Sequence, residues 1–132
     1  MRIVLDASAA AHIILRTDLA PALIEKLGQG RLVIAPSLFH AEVANTLWKY
    51  VRCGDLGKDT ALARYSEAVG LVDAFEADDA LATEALSAAI RYSHPVYDLL
   101  YVILARRHGC RLLTVDKRLI TLAGQIDESM LP

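Results

Sequence analysis

The stretch Arg2-Ile3-Val4-Leu5-Asp6-Ala7-Ser8 decides the fold class of this chain. Its apolar run predicts a short strand over residues 2–6 that ends on an acidic residue. Residues 7–15 follow without a linker and have the pattern of a helix. A short apolar strand that leads directly into a helix is typical of an α/β protein with a parallel sheet.

The same alternation continues to the end of the chain. Ser37 is expected to cap the third helix, and Pro95 is expected to be the first residue of the sixth. Short strands separated by helices predict one central sheet with right-handed crossovers. The further predicted strands are 32–35, 71–75 and 111–115, and the further helices are 19–27, 38–52, 58–70, 78–92, 95–108 and 117–123.

The composition limits the possible functions. The 132 residues are 55% apolar and 23% charged, which predicts one globular domain over residues 1–132. No apolar stretch reaches the roughly 18 residues that a membrane span needs. Two isolated cysteines, Cys53 and Cys110, fit reduced core thiols in a cytoplasmic protein. The formal charge of −2 argues against a nucleic-acid coat protein, but it allows an enzyme that binds nucleic acid locally.

Four acidic residues are expected at one edge of the sheet. Asp6 and Asp116 end the first and last predicted strands, while Glu42 and Asp98 lie early in predicted helices. Ligands of open parallel sheets bind outside the carboxyl ends of the strands, where loops enter helices. The four side chains would therefore form a dense cluster of negative charge.

Three of these acids also have a structural explanation as helix caps. Asp6 and Asp116 could cap the helices that follow them, and Asp98 could favour the dipole of its helix from the first turn. However, Asp98 is the only charged residue between 96 and 105. We therefore expect it to be buried and to need a counter-charge or a proton.

Glu42 is most simply a solvated residue of its helix. The polar residues Asn45, Thr46 and Lys49 follow it at positions i+3, i+4 and i+7, and mostly apolar residues cover the rest of the helix. Such a narrow polar stripe is expected where a helix lines a cleft instead of open water.

Clustered carboxylates cannot all ionise without a counter-ion. Either their pKa values rise, or a cation neutralises them. Mg²⁺ and Mn²⁺ prefer oxygen ligands, and one or two such ions can lower the pKa of a water and stabilise an in-line displacement at phosphorus. The acids therefore indicate metal-assisted cleavage of phosphodiester bonds, and no cluster of histidine or cysteine offers a competing zinc site.

Four segments of the chain together resemble the PIN-domain ribonucleases, specifically the VapC-type toxins of toxin–antitoxin pairs. They occur in the family's order and spacing, and the likeness extends from about residue 2 to residue 127. Each segment alone is weak, whereas four in sequence are specific. The segments are Val4-Leu5-Asp6-Ala7-Ser8, Pro36 to Asn45, Tyr97-Asp98-Leu99-Leu100-Tyr101 and Leu113-Thr114-Val115-Asp116.

The resemblance implies a three-layer α/β/α fold, with a parallel sheet of four or five strands and helices on both faces. It implies a Mg²⁺- or Mn²⁺-dependent endoribonuclease that acts as a toxin. Its catalytic and metal-binding acids would be Asp6, Glu42, Asp98 and Asp116. Asp6 and Asp98 would be the firmest ligands, and Ser8, Asn45 and Thr114 match polar positions that support the acids.

The resemblance also implies partners: an RNA substrate, a second copy in a homodimer, and a cognate antitoxin whose tail covers the active site. Basic residues are candidates for contacts with RNA phosphates, although each could equally belong to a solvated surface. These residues are Lys49, Arg52, Arg91, Arg106, Arg107, Lys117 and Arg118.

Two alternative functions stay open. A non-catalytic PIN-fold module that only binds a partner protein would have the same fold. A haloacid-dehalogenase-like phosphatase would share Asp6-Ala7-Ser8, but the second aspartate of its D-x-D motif is a serine here. The H-x-E spacing of His40 and Glu42 matches zinc deaminases, but no P-C-x-x-C follows.

Other aromatic and histidine residues are not assigned to the site. Trp48, Tyr50 and Tyr101 are expected to make core or dimer contacts instead of stacking on RNA. The histidines His12, His94 and His108 show no ligand spacing.

Overall fold

A computed structural model describes residues 1–132 and contains one sheet of four strands, all paired in parallel. The strands are β1 (Arg2–Leu5), β2 (Leu32–Pro36), β3 (Ala74–Glu76) and β4 (Arg111–Leu113), in the order β3-β2-β1-β4. The helices are α1 (Ala7–Ile14), α2 (Ala20–Gly28), α3 (Leu38–Arg52), α4 (Lys58–Gly70), α5 (Asp78–Tyr92), α6 (Val96–His108) and α7 (Lys117–Ile126), followed by a 3₁₀ turn at Glu128–Met130. The predicted α/β fold is confirmed.

The sheet lies between two layers of helices. Successive side chains of a strand point to opposite faces. Ile3 and Leu5 of β1 therefore pack with α1 to α4, whereas Val4 packs with α5, α6 and α7. All three side chains are buried, so each face of the sheet has its own hydrophobic core. The three-layer α/β/α arrangement is confirmed.

The edge strand β3 begins three residues later than predicted. The apolar residue Val72 is buried in the core beneath α1 to α4, but it lies before the first residue of β3 that pairs with β2. Asp73 turns the chain by accepting a hydrogen bond from the backbone N–H of Val33 at 2.8 Å. Pairing with β2 starts only at Ala74.

Ser37 occupies the N-cap position of α3, as predicted, but its side chain does not cap the helix. Ser37 has helical backbone angles (φ −56°, ψ −30°), and its hydroxyl donates to the carbonyl of Glu76 at 3.2 Å. The first N–H of the helix, that of Leu38, is bound instead by the carboxylate of Asp78 at 3.0 Å. The cap therefore comes from a residue 40 positions away in the chain. Pro95 is likewise the residue before α6, not its first helical residue.

The two cysteines are both free thiols, but only one is in the core. Cys110 is buried before β4, whereas Cys53 is exposed at the end of α3, so the prediction of a core thiol is wrong for Cys53. No helix of the structure combines the length and the apolar composition needed to cross a membrane.

Candidate active site

Asp6 lies at the carboxyl end of β1, where sheet pairing continues through its backbone N–H to the carbonyl of Leu113 at 3.0 Å. Its side chain does not cap α1. The hydroxyls of Ser8 and Thr114 both donate to the same carboxylate oxygen, Oδ2, and the bond from Thr114 measures 2.7 Å. Burial raises the pKa of Asp6, while these two hydrogen bonds oppose the rise. Asp6 is therefore a buried carboxylate held in one orientation.

Ser8 and Thr114 are themselves fixed by the backbone. The N–H of Val115 donates to Ser8 Oγ at 3.3 Å, and the N–H of Asp116 donates to Thr114 Oγ1 at 3.1 Å. Since each hydroxyl accepts from the backbone, its own proton is directed to Asp6. The network joins the end of β1 to the loop after β4. Asn45, the third predicted supporting residue, is exposed and makes no side-chain hydrogen bond to an acid.

Glu42 lies in the second turn of α3 and receives a hydrogen bond from a core residue. The hydroxyl of Tyr101, a fully buried side chain, donates to Glu42 Oε1 at 2.7 Å. Burial raises the pKa of Glu42 to about 7; the bond from Tyr101 opposes this, and the charges of Asp6 and Asp98 add to it. Burial and the charge of Glu42 also raise the pKa of Tyr101, so its phenol stays protonated and donates.

Asp98 is less buried than predicted. The rest of α6 from Leu99 to Ala105 is buried, but the Asp98 side chain is 26% exposed. Its partner is His94, whose Nε2 lies 2.7 Å from Oδ2. His94 is only 12% exposed and was not assigned a role from the sequence. His94 lies before α6, outside any helix, so helical periodicity could not have indicated its contact with Asp98.

Asp116 caps α7. One oxygen, Oδ1, accepts hydrogen bonds from the backbone N–H groups of Arg118 at 2.9 Å and Leu119 at 3.5 Å. The prediction that Asp116 caps the helix that follows it is therefore confirmed. Asp116 also belongs to the polar network, because its own N–H binds the Thr114 hydroxyl that orients Asp6.

The structure brings Asp6, Glu42 and Asp98 to the same edge of the sheet. The charges of the other two acids raise the pKa of Glu42, and the charge of Asp98 raises that of Asp6. A fifth acid, Asp78, also raises the pKa of Glu42, and its proximity was not predicted from the sequence. No three histidine, cysteine, aspartate or glutamate side chains form a metal-binding set, so the acids line a rim without closing around one point.

The surface of α3 differs from the predicted narrow polar stripe. Only Phe39, Val43 and Leu47 of this helix are buried. Trp48 is 53% exposed and Tyr50 is 37% exposed, so a core role is wrong for both, while Tyr101 is a core residue as predicted. Dimer contacts by the exposed pair stay a prediction.

Three of the seven candidate RNA contacts are already engaged with neighbours. Arg107 donates to Glu84 at 2.6 Å, Arg52 lies 4.7 Å from the centre of the Trp48 ring, and Arg91 lies 5.5 Å from that of Tyr92. Lys49 and Arg106 are exposed on α3 and α6. Lys117 and Arg118 differ because they lie at the start of α7, directly after Asp116.

Residues 3–125 match the PIN domain. The chain is 31% identical to Ribonuclease VapC3 of Pyrobaculum aerophilum over 121 residues, which cover 90% of this chain and 92% of that protein. Together with the parallel sheet and the acids at its edge, these matches define the class. The chain belongs to the PIN-domain family, among the VapC-type ribonucleases.

Two solved structures have the same fold. PAE2754 from Pyrobaculum aerophilum aligns with a TM-score of 0.74 and 22% identity, covering 92% of this chain and 79% of its own. VapC20 of Mycobacterium tuberculosis, a toxin that cleaves the sarcin–ricin loop, aligns with a TM-score of 0.67 and 18% identity, covering 89% of this chain and 92% of its own.

VapC nucleases are in general metal-dependent, and the donor atoms at this rim suit a hard divalent cation. Asp6, Glu42 and Asp98 offer carboxylate oxygens, which Mg²⁺ and Mn²⁺ prefer. Asp6 Oδ1 accepts no side-chain hydrogen bond, because both hydroxyls donate to Oδ2. Burial raises the pKa of Glu42, and the charges of Asp6 and Asp98 add to the rise, so a cation bound here would favour its ionised form. The donor atoms therefore suit a divalent cation, although the carboxylates do not close around one point.

Proposed function

We propose that the protein is a Mg²⁺- or Mn²⁺-dependent endoribonuclease and the toxin of a toxin–antitoxin pair. One observation carries the proposal. In a VapC-type chain, carboxylates from the end of β1, from α3 and from α6 lie at one sheet edge, where burial raises the pKa of Asp6 and of Glu42 and the charge of Asp98 adds to both. Buried, clustered carboxylates of this kind are typical of a functional site, and a cation would neutralise them. Two free thiols and an RNA substrate fit action in the cytoplasm.

Each residue has a proposed role. A bound ion would lower the pKa of a water and neutralise charge on the scissile phosphate. Asp6, oriented by Ser8 and Thr114, and Asp98, oriented by His94, would be direct ligands. Burial raises the pKa of Glu42 to about 7 in the metal-free protein, and this carboxyl group would orient or deprotonate a water. Asp116 would act through water, since one of its oxygens caps α7.

The test is cleavage of a mixed RNA pool by the purified chain with Mn²⁺, with Mg²⁺ and with EDTA. Asp98→Asn should abolish cleavage without unfolding the protein. Asp59→Asn is a matched control, because Asp59 also lies in the first turn of a helix but is exposed on α4. The proposal fails if the wild-type chain leaves RNA intact with both metals, or if both variants cleave equally.

The open spacing of the acids is the one observation that favours the alternative, a non-catalytic PIN-fold module. Such a protein would bind its antitoxin but leave RNA intact at every concentration of Mn²⁺. The phosphatase alternative predicts release of phosphate from p-nitrophenyl phosphate instead. The same purified chain therefore separates the three functions.

The antitoxin has a suitable surface beside the site. A groove of about 400 Å³ between α3 and α4 is lined by apolar residues, including Leu47, Val51 and the exposed Trp48 and Leu62. An apolar groove between two helices suits the apolar face of a partner helix. We propose that the antitoxin binds here and that its tail reaches the acids. The homodimer stays a proposal as well, and sedimentation equilibrium of the purified chain tests it.

A further inference from the structure

A polar cavity lies next to the acidic rim, between the end of α5 and the start of α7. Its volume is about 360 Å³, near the lower end of the roughly 300–1,000 Å³ typical of small-ligand sites. Its walls include His94, Lys117, Arg118 and Gln125, and no acidic residue lines it. The cavity is therefore positively charged, although the chain as a whole has a net charge of −2.

The two cations of this cavity are free to bind a ligand. The ion pairs of the structure involve other basic residues, and neither Lys117 nor Arg118 takes part in one. Both side chains are exposed. Arg107, by contrast, is held by Glu84 at 2.6 Å. An unpaired arginine and lysine side by side favour a phosphate group, which the guanidinium binds through two parallel hydrogen bonds.

Residues of the cavity wall contact or adjoin two of the proposed catalytic acids. His94 forms part of its wall, and the Nε2 atom of the same ring contacts Asp98 at 2.7 Å. On the other side, Asp116 immediately precedes Lys117 and binds the backbone N–H of Arg118 at 2.9 Å. A phosphate in the cavity would thus lie beside residues that contact or adjoin Asp98 and Asp116.

We infer that this cavity binds a backbone phosphate of the RNA strand adjacent to the scissile bond, through Lys117 and Arg118. The inference rests on the proposed ribonuclease function and selects two of the seven candidate basic residues. Its physical basis is that negative charge at the acids and positive charge at Lys117 and Arg118 lie in neighbouring but separate places. The acids would repel an approaching polyanion, and the unpaired cations beside them hold the strand in place.

Binding is measured separately from cleavage, by fluorescence anisotropy of a labelled 12-nucleotide single-stranded RNA of mixed sequence in EDTA. The double variant Lys117→Gln/Arg118→Gln should weaken binding at least tenfold. Two lost phosphate contacts should also reduce the salt dependence, with a slope change of about 1.4 because each contact on a single strand contributes about 0.7. Lys117→Arg/Arg118→Lys keeps both charges and should retain binding within about threefold.

The matched control is Lys26→Gln/Arg31→Gln, which removes two exposed charges near the start of β2, at the opposite edge of the sheet. It should change affinity less than threefold. Equal loss in both double variants, no loss in the cavity variant, or no RNA binding by the wild type would each overturn the inference.

Cleavage kinetics with Mn²⁺ separate this inference from the proposed function. The cavity variant should raise KM about tenfold or more and leave kcat within threefold. A wild type that binds RNA through the cavity but never cleaves it would refute the nuclease and leave the phosphate site standing. A cavity variant that lowers kcat at unchanged KM would contradict the inference, because Lys117 and Arg118 would then act in the chemical step and not in binding the strand.

Discussion

Replacing Glu42 with glutamine tests the electrostatics of the acidic rim directly. Glutamine has nearly the same shape and still accepts the hydrogen bond from Tyr101, so the substitution mainly removes a charge. The pKa of Glu42 is raised from 4.5 to about 7 in the folded protein. At about 1.36 kcal/mol per pH unit, this difference corresponds to a ceiling of about 3 kcal/mol. Glu42 is only partly buried, so solvent screening reduces the expected effect to about 1–2 kcal/mol.

The sign of the effect depends on pH. Below pH 4.5, Glu42 carries its proton in both the folded and the unfolded state, so wild type and variant should be equally stable. Between pH 4.5 and about 7 the unfolded chain loses a proton that the folded protein keeps, and the wild type loses stability relative to the variant. Above pH 7 the metal-free variant should be more stable by the full 1–2 kcal/mol.

Urea unfolding followed by circular dichroism, in EDTA from pH 4.5 to 8.5, measures this difference. Glu25→Gln on the exposed surface of α2 is the control, and it should stay within about 0.5 kcal/mol of the wild type at every pH. Mg²⁺ at about 100 times its Kd should stabilise the wild type by about 2.7 kcal/mol, and it should stabilise the variant less because one negative charge of the rim is gone. A metal-free variant less stable than the wild type at pH 8 would refute the reasoning.

Two further substitutions examine the residues that orient the acids. Tyr101→Phe removes a buried donor, so the free energy of unfolding should fall by about 1–2 kcal/mol and the pKa of Glu42 should rise further; an unchanged Glu42 titration by NMR would contradict the assigned contact. Thr114→Val removes a donor to Asp6 and an acceptor for Asp116, and should destabilise the protein by about 1–3 kcal/mol in urea unfolding. Thr121→Val is the control, because the Thr121 hydroxyl donates only to the carbonyl of Lys117 on an exposed helix. It should change the free energy of unfolding by less than about 0.5 kcal/mol. Equal effects of the two valine substitutions would count against the Asp6 network.

The strands and helices were largely predictable because their signals are local. The apolar run of β1, the limits of α4 at Lys58–Gly70 and those of α5 at Asp78–Tyr92 follow from residues within the segments themselves. The edge strand β3 was misplaced since its apolar neighbour Val72 looks like a strand residue but packs under the helices. An apolar residue such as Val72 can belong to a strand or to the core outside the sheet, and only the observed pairing with β2 distinguishes the two.

The position of the acids at one sheet edge was predictable from the sequence, but the contacts of their side chains were not. Asp6 and Asp116 end apolar runs, so their place at the carboxyl edge follows from the parallel sheet. Two contacts were missed: His94 with Asp98, and Tyr101 with Glu42. The second joins residues 59 positions apart, which no local pattern reveals. Asp78 was missed as the cap of α3 for the same reason.

The sequence by itself determined the alternation of strands and helices and the placement of acids where strands give way to helices, because both depend on the periodicity and chemistry of neighbouring residues. The tertiary structure alone decided which hydroxyls hold Asp6, which phenol meets Glu42 and which cations stay unpaired beside Asp116. These depend on distances of a few ångströms between distant segments, and only the packing of helices against the sheet sets such distances.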